Sequence, residues 1–423
     1  MAKISAVDYK NNRKGTNMLA TLIPLFNDQM EVKAYSLFSQ KKNYLLNPSY
    51  LGTGINDGAG NILGLEIVNS VGIDSLATDS DIFISLSPIS LFADVEAQCL
   101  APAHRIVLLI DNSVKPQPLN IERIKTLKDA GYQFAMRKLD VPDFEEYKQI
   151  LALMDFLILD HKKIVISKAK IFFSKLYPHI KLVAGNIATQ EIFEGLKKEG
   201  GYQLYEGEFY RTPITKGESQ IAPVKINYIE LLNVINDPDF ELTKAADVIS
   251  RDAALTISLL GMVNKITVNS KISNIRQATA LLGQRELKKW ISTAVTKQLC
   301  EDKPSEVARL SMLRAKFAEQ LAPIFSMATK DQELFMLGLF SVLDIILGKP
   351  MPEALSMLNV SHDISDALIE HKGELALVYQ FMLLYENADW FEIDRLVVVN
   401  NLDYDKVYDA YVTSLKWYRD LFF

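Results

Sequence analysis

Five histidines, two cysteines and a set of scattered carboxylates are the groups through which this chain of 423 residues could do chemistry. His104, His161, His179, His362 and His371 stand singly in the sequence. A metal centre needs several ligands converging on one point, so isolated histidines read as surface or capping residues. His161 is the one whose position suits chemistry. It follows Asp160 at the end of an apolar run, and barrel sites are built at the C-terminal ends of strands. Cys99 and Cys300 lie far apart, which reads as neither a disulfide framework nor a zinc site and fits a reducing compartment. The chain has no G-x-x-x-x-G-K-[ST] loop, no G-x-S-x-G elbow and no H-E-x-x-H helix. Residues 56–61 (NDGAGN) carry two glycines but follow no clear strand, so they read as a loop turn rather than a phosphate cradle.

The elements that would position any such group fall into two rhythms. From about residue 18 to 213, short runs rich in Ile, Leu and Val alternate with amphipathic stretches. LATLI (19–23), IFISLS (82–87), IVLLI (106–110), FLIL (156–159) and KLVAG (181–185) have the continuous apolar character of parallel strands covered on both faces. Helices are expected at 119–130, stopped by Gly131, and at 189–199, capped by Thr189 and stopped by Gly200 and Gly201. Strand–helix alternation implies a parallel α/β domain. The pattern leaves open whether it is an eight-stranded barrel or a doubly wound sheet.

After Pro213 the strand rhythm stops. Residues 212–225 are polar and contain Pro and Gly, the signature of a boundary. Helical periodicity then dominates. Asp252 can cap a helix over 253–265 whose apolar residues nearly encircle it, which predicts a buried helix. Further helices are expected at 274–282, 311–322, 333–347, 364–373 and 375–386, with a loop at 300–306. Residues 397–418, with clustered Tyr and a Trp, read as a packed terminal helix in preference to an exposed anchor patch.

Composition sets the outer limits. Hydrophobic residues make up 49% and charged residues 23%, values of an ordered globular protein. Lys plus Arg number 46 against 52 Asp plus Glu, a net charge of -6 that argues against a general polyanion binder such as a nucleic-acid protein. No apolar run reaches the roughly 18 residues of a membrane span. The first seventeen residues lack the apolar core of a signal peptide, so a cytoplasmic location is expected.

In this order the segments resemble the tandem EAL–HDOD signalling proteins of the YuxH-like type, from about residue 18 to beyond Trp390. KAYSLFSQ (33–40) stands at the name-giving motif of an EAL domain. ISLS (84–87) resembles the V-N-L-S strand, and LLIDNSV (108–114) the E-I-T-E-S strand. DAGYQFAMRKL (129–139) stands for the segment ending in paired aspartates. MDFLILD (154–160) resembles D-x-I-K-I-D, LVAGNIAT (182–189) resembles V-A-E-x-V-E-T, and YEGEFYRTP (205–213) the closing Q-G-Y-x-x-x-x-P. GLFSVLDIILG (338–348) takes the place of the G-L-L-H-D-I-G signature of HD hydrolases, as an HDOD domain would. The resemblance implies an EAL-type β/α barrel followed by an all-α HDOD domain. The expected divisions are a tail (1–17), the barrel (18–215), a linker (216–225) and the HDOD domain (226–423).

The EAL family hydrolyses cyclic di-GMP with two divalent cations held by acidic residues, which activate a bridging water. This chain departs from that pattern. The motif Glu is Ser36, the phosphate-facing Arg is Gln40, the Asn ligand is Ser85 and the next acidic ligand is Asn112. The paired aspartates are Arg137 and Lys138, and the water-activating Lys is Ile158. The two later glutamates are Gly185 and Ala188, and the closing Gln is Glu206. Two cations would repel the metals they replace ligands for. In the second domain the signature His and Asp are Ser341 and Val342. Asp344 lies two places on without a His partner, and one carboxylate holds no catalytic metal. Arg314 and Glu319 are expected to pair or to snorkel, and Asn264 to cap or to brace a loop. The expected protein is a degenerate phosphodiesterase scaffold without enzymatic activity, cofactor or metal, binding protein partners in a signalling pathway. The resemblance suggests motility or biofilm control. The alternative is a non-hydrolysing sensor of cyclic di-GMP, with Arg137 and Lys138 meeting phosphates, though ligand binding is disfavoured. No nucleic-acid or membrane partner is expected, and homo-oligomerisation is left open.

Overall fold

The structure, a computed structural model, describes residues 18–41, 62–215, 221, 223–237, 239–266 and 271–422. The expected tail 1–17, the NDGAGN segment and residues 216–220 and 222 of the expected linker lie outside the described residues. Two compact units divide the chain. One is formed by residues up to Tyr210 together with Leu383–Phe423, the other by Arg211–Met382.

The first unit is a closed barrel of eight strands in chain order: β1 (Met18–Phe26), β2 (Val32–Lys41), β3 (Asp81–Ser85), β4 (Ile106–Asp111), β5 (Gln133–Arg137), β6 (Phe156–Asp160), β7 (Lys181–Ile187) and β8 (Leu204–Gly207). This resolves the choice that the apolar runs left open. β1 is antiparallel to both of its neighbours, and all other pairs are parallel. Side chains alternate along each strand, so every second residue enters the barrel. Leu25, Ala34, Phe83, Val107, Leu109, Ala135, Phe156, Ile158, Val183 and Leu204 form that interior. The intervening residues of β4, Ile106, Leu108 and Ile110, are at most 1% exposed on the outer face, which is why the run is continuously apolar.

Local signals behave as their chemistry requires. The helix Pro118–Asp129 has proline in its first turn, and Gly131 follows at φ 95°. Thr189 Oγ1 accepts from the Ile192 amide at 3.3 Å to cap Gln190–Glu199, and Gly200 ends it at φ 70°. β2, β5 and β8 carried no apolar run. β2 places Lys33, Ser36, Ser39 and Gln40 among its apolar residues, and β8 is only four residues long.

The second unit is helical. It runs through Pro223–Asn236, which begins inside the expected linker, then Leu242–Ile249, Ala253–Ile266 and Ile275–Leu299. It continues through Ser305–Leu321, Asp331–Phe340, Leu343–Leu347, Met351–Ser356 and His362–Ile369 into Glu374–Glu386. Asp252 caps its helix as expected, accepting from the Leu255 amide at 3.0 Å. That helix is not buried all round, which corrects the expectation from its composition. Leu255, Leu259 and Val263 point inward at i, i+4 and i+8, whereas Ile257 is 72% exposed. Gly283, at φ 71°, interrupts Ile275–Leu299 rather than ending it. The expected helix 333–347 is two helices, broken at Ser341 and Val342.

The largest departure is at the end of the chain. Residues 397–418 are not one helix but parts of Trp390–Val399 and Tyr404–Phe422, and these belong with the barrel rather than with the helical unit. Tyr404, Val407, Tyr408, Ala410, Tyr411 and Leu415 are buried, at 7% exposure or less. The helical unit is therefore inserted into the barrel unit. The expected boundaries of 226–423 for the second domain ran about forty residues past the place where the contacts divide.

Candidate functional site at the barrel mouth

The C-terminal ends of β2–β8 open on one end of the barrel. Above the apolar interior, the next inward position on each strand decides what that end can do. Ser36, Ser85, Asp111, Arg137, Asp160, Gly185 and Glu206 occupy these positions, two residues beyond Ala34, Phe83, Leu109, Ala135, Ile158, Val183 and Leu204. At β4 the inward residue is Asp111, 7% exposed. Asn112 is exposed, and its carbonyl accepts from the Tyr147 hydroxyl at 2.6 Å. The expected site position at Asn112 is corrected by one residue. The period of two, counted from Leu109, was the signal that identifies Asp111.

Two ion pairs fill this end. Arg137 Nη2 donates to both carboxylate oxygens of Glu206, at 3.0 and 2.9 Å, and Ser36 Oγ donates to Glu206 Oε1 at 2.9 Å. The Arg137 guanidinium lies 5.6 Å from the centre of the Phe38 ring, within cation–π range. Arg137 Nε is buried and has no hydrogen-bond partner among the described residues. Lys138 Nζ donates to Asp111 Oδ2 at 3.0 Å, while Ser113 bonds Asp111 Oδ1 through its amide at 2.9 Å and through its hydroxyl at 2.5 Å. These donors hold the Asp111 carboxyl below the usual range despite its burial. Lys138 reaches this position through a left-handed backbone, φ 60°, a conformation sparsely used by non-glycine residues.

The remaining expected positions separate. Ile158 is 5% exposed and belongs to the apolar interior, so the place of a polar lysine is dry. A Cβ on Gly185 would meet Ile158 Cγ2 at 3.0 Å and Glu206 Oε2 at 3.7 Å, so side-chain space there is already taken. Ala188 is exposed and Ser85 half-buried. Gln40 turns to Asp394, its Nε2 donating to Oδ2 at 2.8 Å. His161, beyond β6, bonds the Gly185 carbonyl through Nδ1 at 2.8 Å.

The residues at this mouth do not fit the pair of divalent cations that the resemblance implies. Hard cations need several oxygen ligands free to coordinate. The inward carboxylates on β4 and β8 are each held by a cationic side chain, Asp160 at the end of β6 accepts from the Lys162 amide at 3.0 Å, and among the described residues no three His, Cys, Asp or Glu are grouped to hold a metal ion.

In the helical unit Ser341 is buried. It donates to the Gly338 carbonyl at 2.7 Å and accepts from Arg314 Nη1 at 3.1 Å, and Val342 is 2% exposed. Arg314 and Glu319 have different partners: Glu319 is held by Lys289 and by Lys316, the latter at 2.6 Å. Asn264 braces a loop, with Nδ2 donating to the Leu260 and Ile272 carbonyls and Oδ1 accepting from the Ile272 amide. Asp344 accepts from the Ile214 amide at 3.0 Å, yet its burial raises its carboxyl above the ordinary range.

Asp344 gives a pH prediction of definite sign. Its folded pKa exceeds the unfolded one, so the native state binds the proton more tightly. The cost of its charge is absent below the unfolded value of about 3.9, grows as pH rises through the folded pKa, and is full above it. Asp344→Asn keeps an acceptor for Ile214 and removes the charge. The variant is expected to gain stability relative to wild type as pH rises from about 4 through the raised folded pKa, read by urea unfolding at each pH. A gap that stays constant with pH would contradict this assignment.

The comparisons with known proteins agree with this architecture. The HDOD domain family matches residues 221–372. An uncharacterised protein of Bacillus subtilis, YuxH, is 24% identical over 407 residues, covering 94% of this chain and 97% of its own. The cyclic di-GMP phosphodiesterase CdgJ of Vibrio cholerae is 23% identical over 403 residues, covering 94% and 91%. Among solved structures, a standalone EAL protein of Vibrio cholerae in its c-di-GMP bound form shares 17% identity, over 47% of this chain and 92% of its own, with a TM-score of 0.37. The EAL-like domain protein YdiV shares 13%, over 46% and 92%, with a TM-score of 0.35. Among the described residues no helix is long and apolar enough to cross a membrane. With the HDOD family matching residues 221–372 and relatives of similar length aligned across both units, the chain carries an HDOD domain and is similar throughout to the YuxH-like tandem EAL–HDOD proteins.

Proposed function

We propose that this protein is a regulatory component of cyclic di-GMP-related signalling that acts by binding other proteins and neither hydrolyses nor binds the dinucleotide. One observation carries the reading: the Arg137–Glu206 ion pair stands across the barrel mouth, with Lys138–Asp111 beside it. Metal-assisted attack on a phosphodiester needs carboxylates that gather cations and a water whose pKa those cations lower. Here the carboxylates are neutralised by the protein's own cations. The sensor reading needs a guanidinium that can turn to a phosphate. Arg137 is engaged by Glu206 and Phe38, and Gln40 by Asp394. A fold does not fix a function, and a barrel end without its chemistry is free to serve as a docking face. Ile89, Leu119, Val141 and Val165, each more than half exposed, follow the C-terminal ends of β3, β4, β5 and β6 in turn and bring apolar surface to that end.

CdgJ is named a phosphodiesterase, so hydrolysis is the activity to test first. The full chain incubated with cyclic di-GMP and magnesium or manganese is expected to yield linear dinucleotide no faster than metal alone. Turnover above that control would overturn the proposal. Calorimetry with cyclic di-GMP is expected to show no binding at micromolar concentrations, and a micromolar or tighter affinity would replace it with the sensor reading.

A further inference from the structure

The barrel closes through a narrow seam. Among the described residues β1 is registered against β8 only at Leu25 and Phe26. β2 is registered against β3 only from Ala34 to Leu37. Beyond these positions β1 and β2 continue together as a two-stranded ribbon, from Thr21 opposite Phe38 to Met18 opposite Lys41. One edge of β1 would there present unpaired amides, which are costly when buried. Met18, Leu19, Ala20 and Leu22 are all buried, at 8% exposure or less.

Those amides are met from residues 383–422. The Ala20 amide donates to the Tyr385 hydroxyl at 3.3 Å, and the Leu22 amide donates to the Tyr411 hydroxyl at 3.4 Å. Alternate amides share a strand edge, so both hydroxyls sit on the edge away from β2. The Tyr411 hydroxyl also lies 3.4 Å from Thr21 Oγ1, and the two tyrosine rings pack 5.0 Å apart. On β2, Gln40 donates to Asp394 Oδ2, while Asp394 Oδ1 accepts from the Tyr404 hydroxyl at 3.1 Å. Gln40 shares its face of β2 with Phe38, which stacks on Arg137, and with Ser36, which bonds Glu206.

We propose that residues 383–422 are a strap that holds the barrel mouth in its closed arrangement, capping the free edge of β1 with two tyrosine hydroxyls and clipping β2 through Asp394. The strap grips the strand that lines the mouth, so releasing it frees Ser36, Phe38 and Gln40 to move. It also follows the inserted helical unit in the chain, so the barrel is completed only after that unit has been traversed.

Hydrogen exchange on the full chain tests the strap. Tyr385→Phe with Tyr411→Phe keeps both rings and removes both hydroxyls. Peptides covering β1 are expected to exchange about tenfold faster, with those covering β4 and β7 unchanged. Asp394→Ala, at a half-buried position where folding is not at stake, is expected to speed exchange at the far end of β2 by severalfold. Unchanged protection of the ribbon in both variants would overturn the proposal. Equal loss of protection across all strands would overturn it too, because the tyrosines would then support the whole unit and not the ribbon.

Discussion

Glu206→Gln is expected to destabilise the barrel by about 3 kcal/mol, the low end of the range for breaking a buried ion pair. Glu206 is 9% and Arg137 19% exposed at the side chain, so the guanidinium left behind keeps its desolvation cost and loses its counter-charge. Glutamine can still accept from Ser36 and one guanidinium nitrogen, so the loss is electrostatic rather than steric. Arg137→Met should cost a similar amount, because it strands the Glu206 carboxylate with Ser36 as its remaining donor among the described residues. The double variant Arg137→Met, Glu206→Leu removes both charges and fills the space with apolar atoms, as the interior below it is filled. It is expected to recover to within about 1 kcal/mol of wild type, since a buried pair is often replaceable by well-packed apolar residues. The unpartnered Arg137 Nε favours that recovery, because the native pair is not fully satisfied. The chain has two units, so a single unfolding midpoint is ambiguous. Exchange of β5 and β8 peptides in urea isolates the barrel. Single variants that each cost well under 1 kcal/mol would mean that solvent screens the pair like a surface one.

How far the sequence foretold this mouth depends on the residue. The apolar runs of β4, β6 and β7 were legible because both faces of a parallel strand are covered, and Ile158 and Gly185 could be placed within them. Arg137 and Glu206 were legible as departures from a family pattern, but that they pair with each other was not. Asp111 was missed because a motif aligned by residue type put the acidic position at Asn112. The alternation from Val107 through Leu109 fixes the inward residue independently, and it wins because a slip of one residue reverses the face. The pairing of Lys138 with Asp111 was not legible at all. It depends on the left-handed turn at Lys138, and sequence periodicity carries no information about φ.

The terminal helices show a different limit. Their Tyr-rich stripe announced burial, but not against what. Tyr385 and Tyr411 lie more than 360 residues from their partners Ala20 and Leu22. A hydroxyl bonded to a backbone amide leaves no trace in the type of the residue that donates. Periodicity assigned these residues to the helical domain because they are helical and follow it. The strand edge that needed covering decides otherwise. Dividing the chain near Gly217 would therefore remove from the barrel the segment that caps β1, and a partner search with such halves would test a damaged mouth.

The second large effect lies in the helical unit, at Gly338. An alanine there is expected to cost about 3–5 kcal/mol, more than most single substitutions. An added Cβ would lie 2.3 Å from the Arg314 carbonyl oxygen, 2.4 Å from its carbon and 2.6 Å from the Ala315 nitrogen. All three are backbone atoms inside the helix Ser305–Leu321, so no rotamer can relieve the clash. The helices Ser305–Leu321 and Asp331–Phe340 would have to separate. Ala315, Ala318, Leu337 and Leu339 are fully buried between and around them, and separation opens that packing. It also strains the bonds tying the two helices together, from Ser311 Oγ to the Leu339 carbonyl at 2.6 Å and from Arg314 to Ser341 at 3.1 Å. Overpacking contributes about 1–3 kcal/mol and each weakened buried bond about 1 kcal/mol more. Gly261 supplies the control. It lies in the helix Ala253–Ile266, is exposed, and a Cβ there meets nothing within 4 Å. Gly261→Ala should stabilise by up to about 1 kcal/mol through helix propensity alone. The same substitution with opposite signs, read by exchange of helical-unit peptides in denaturant, separates close backbone approach from intrinsic propensity. If Gly338→Ala proved neutral or stabilising, the two helices would have to pack further apart than the structure places them.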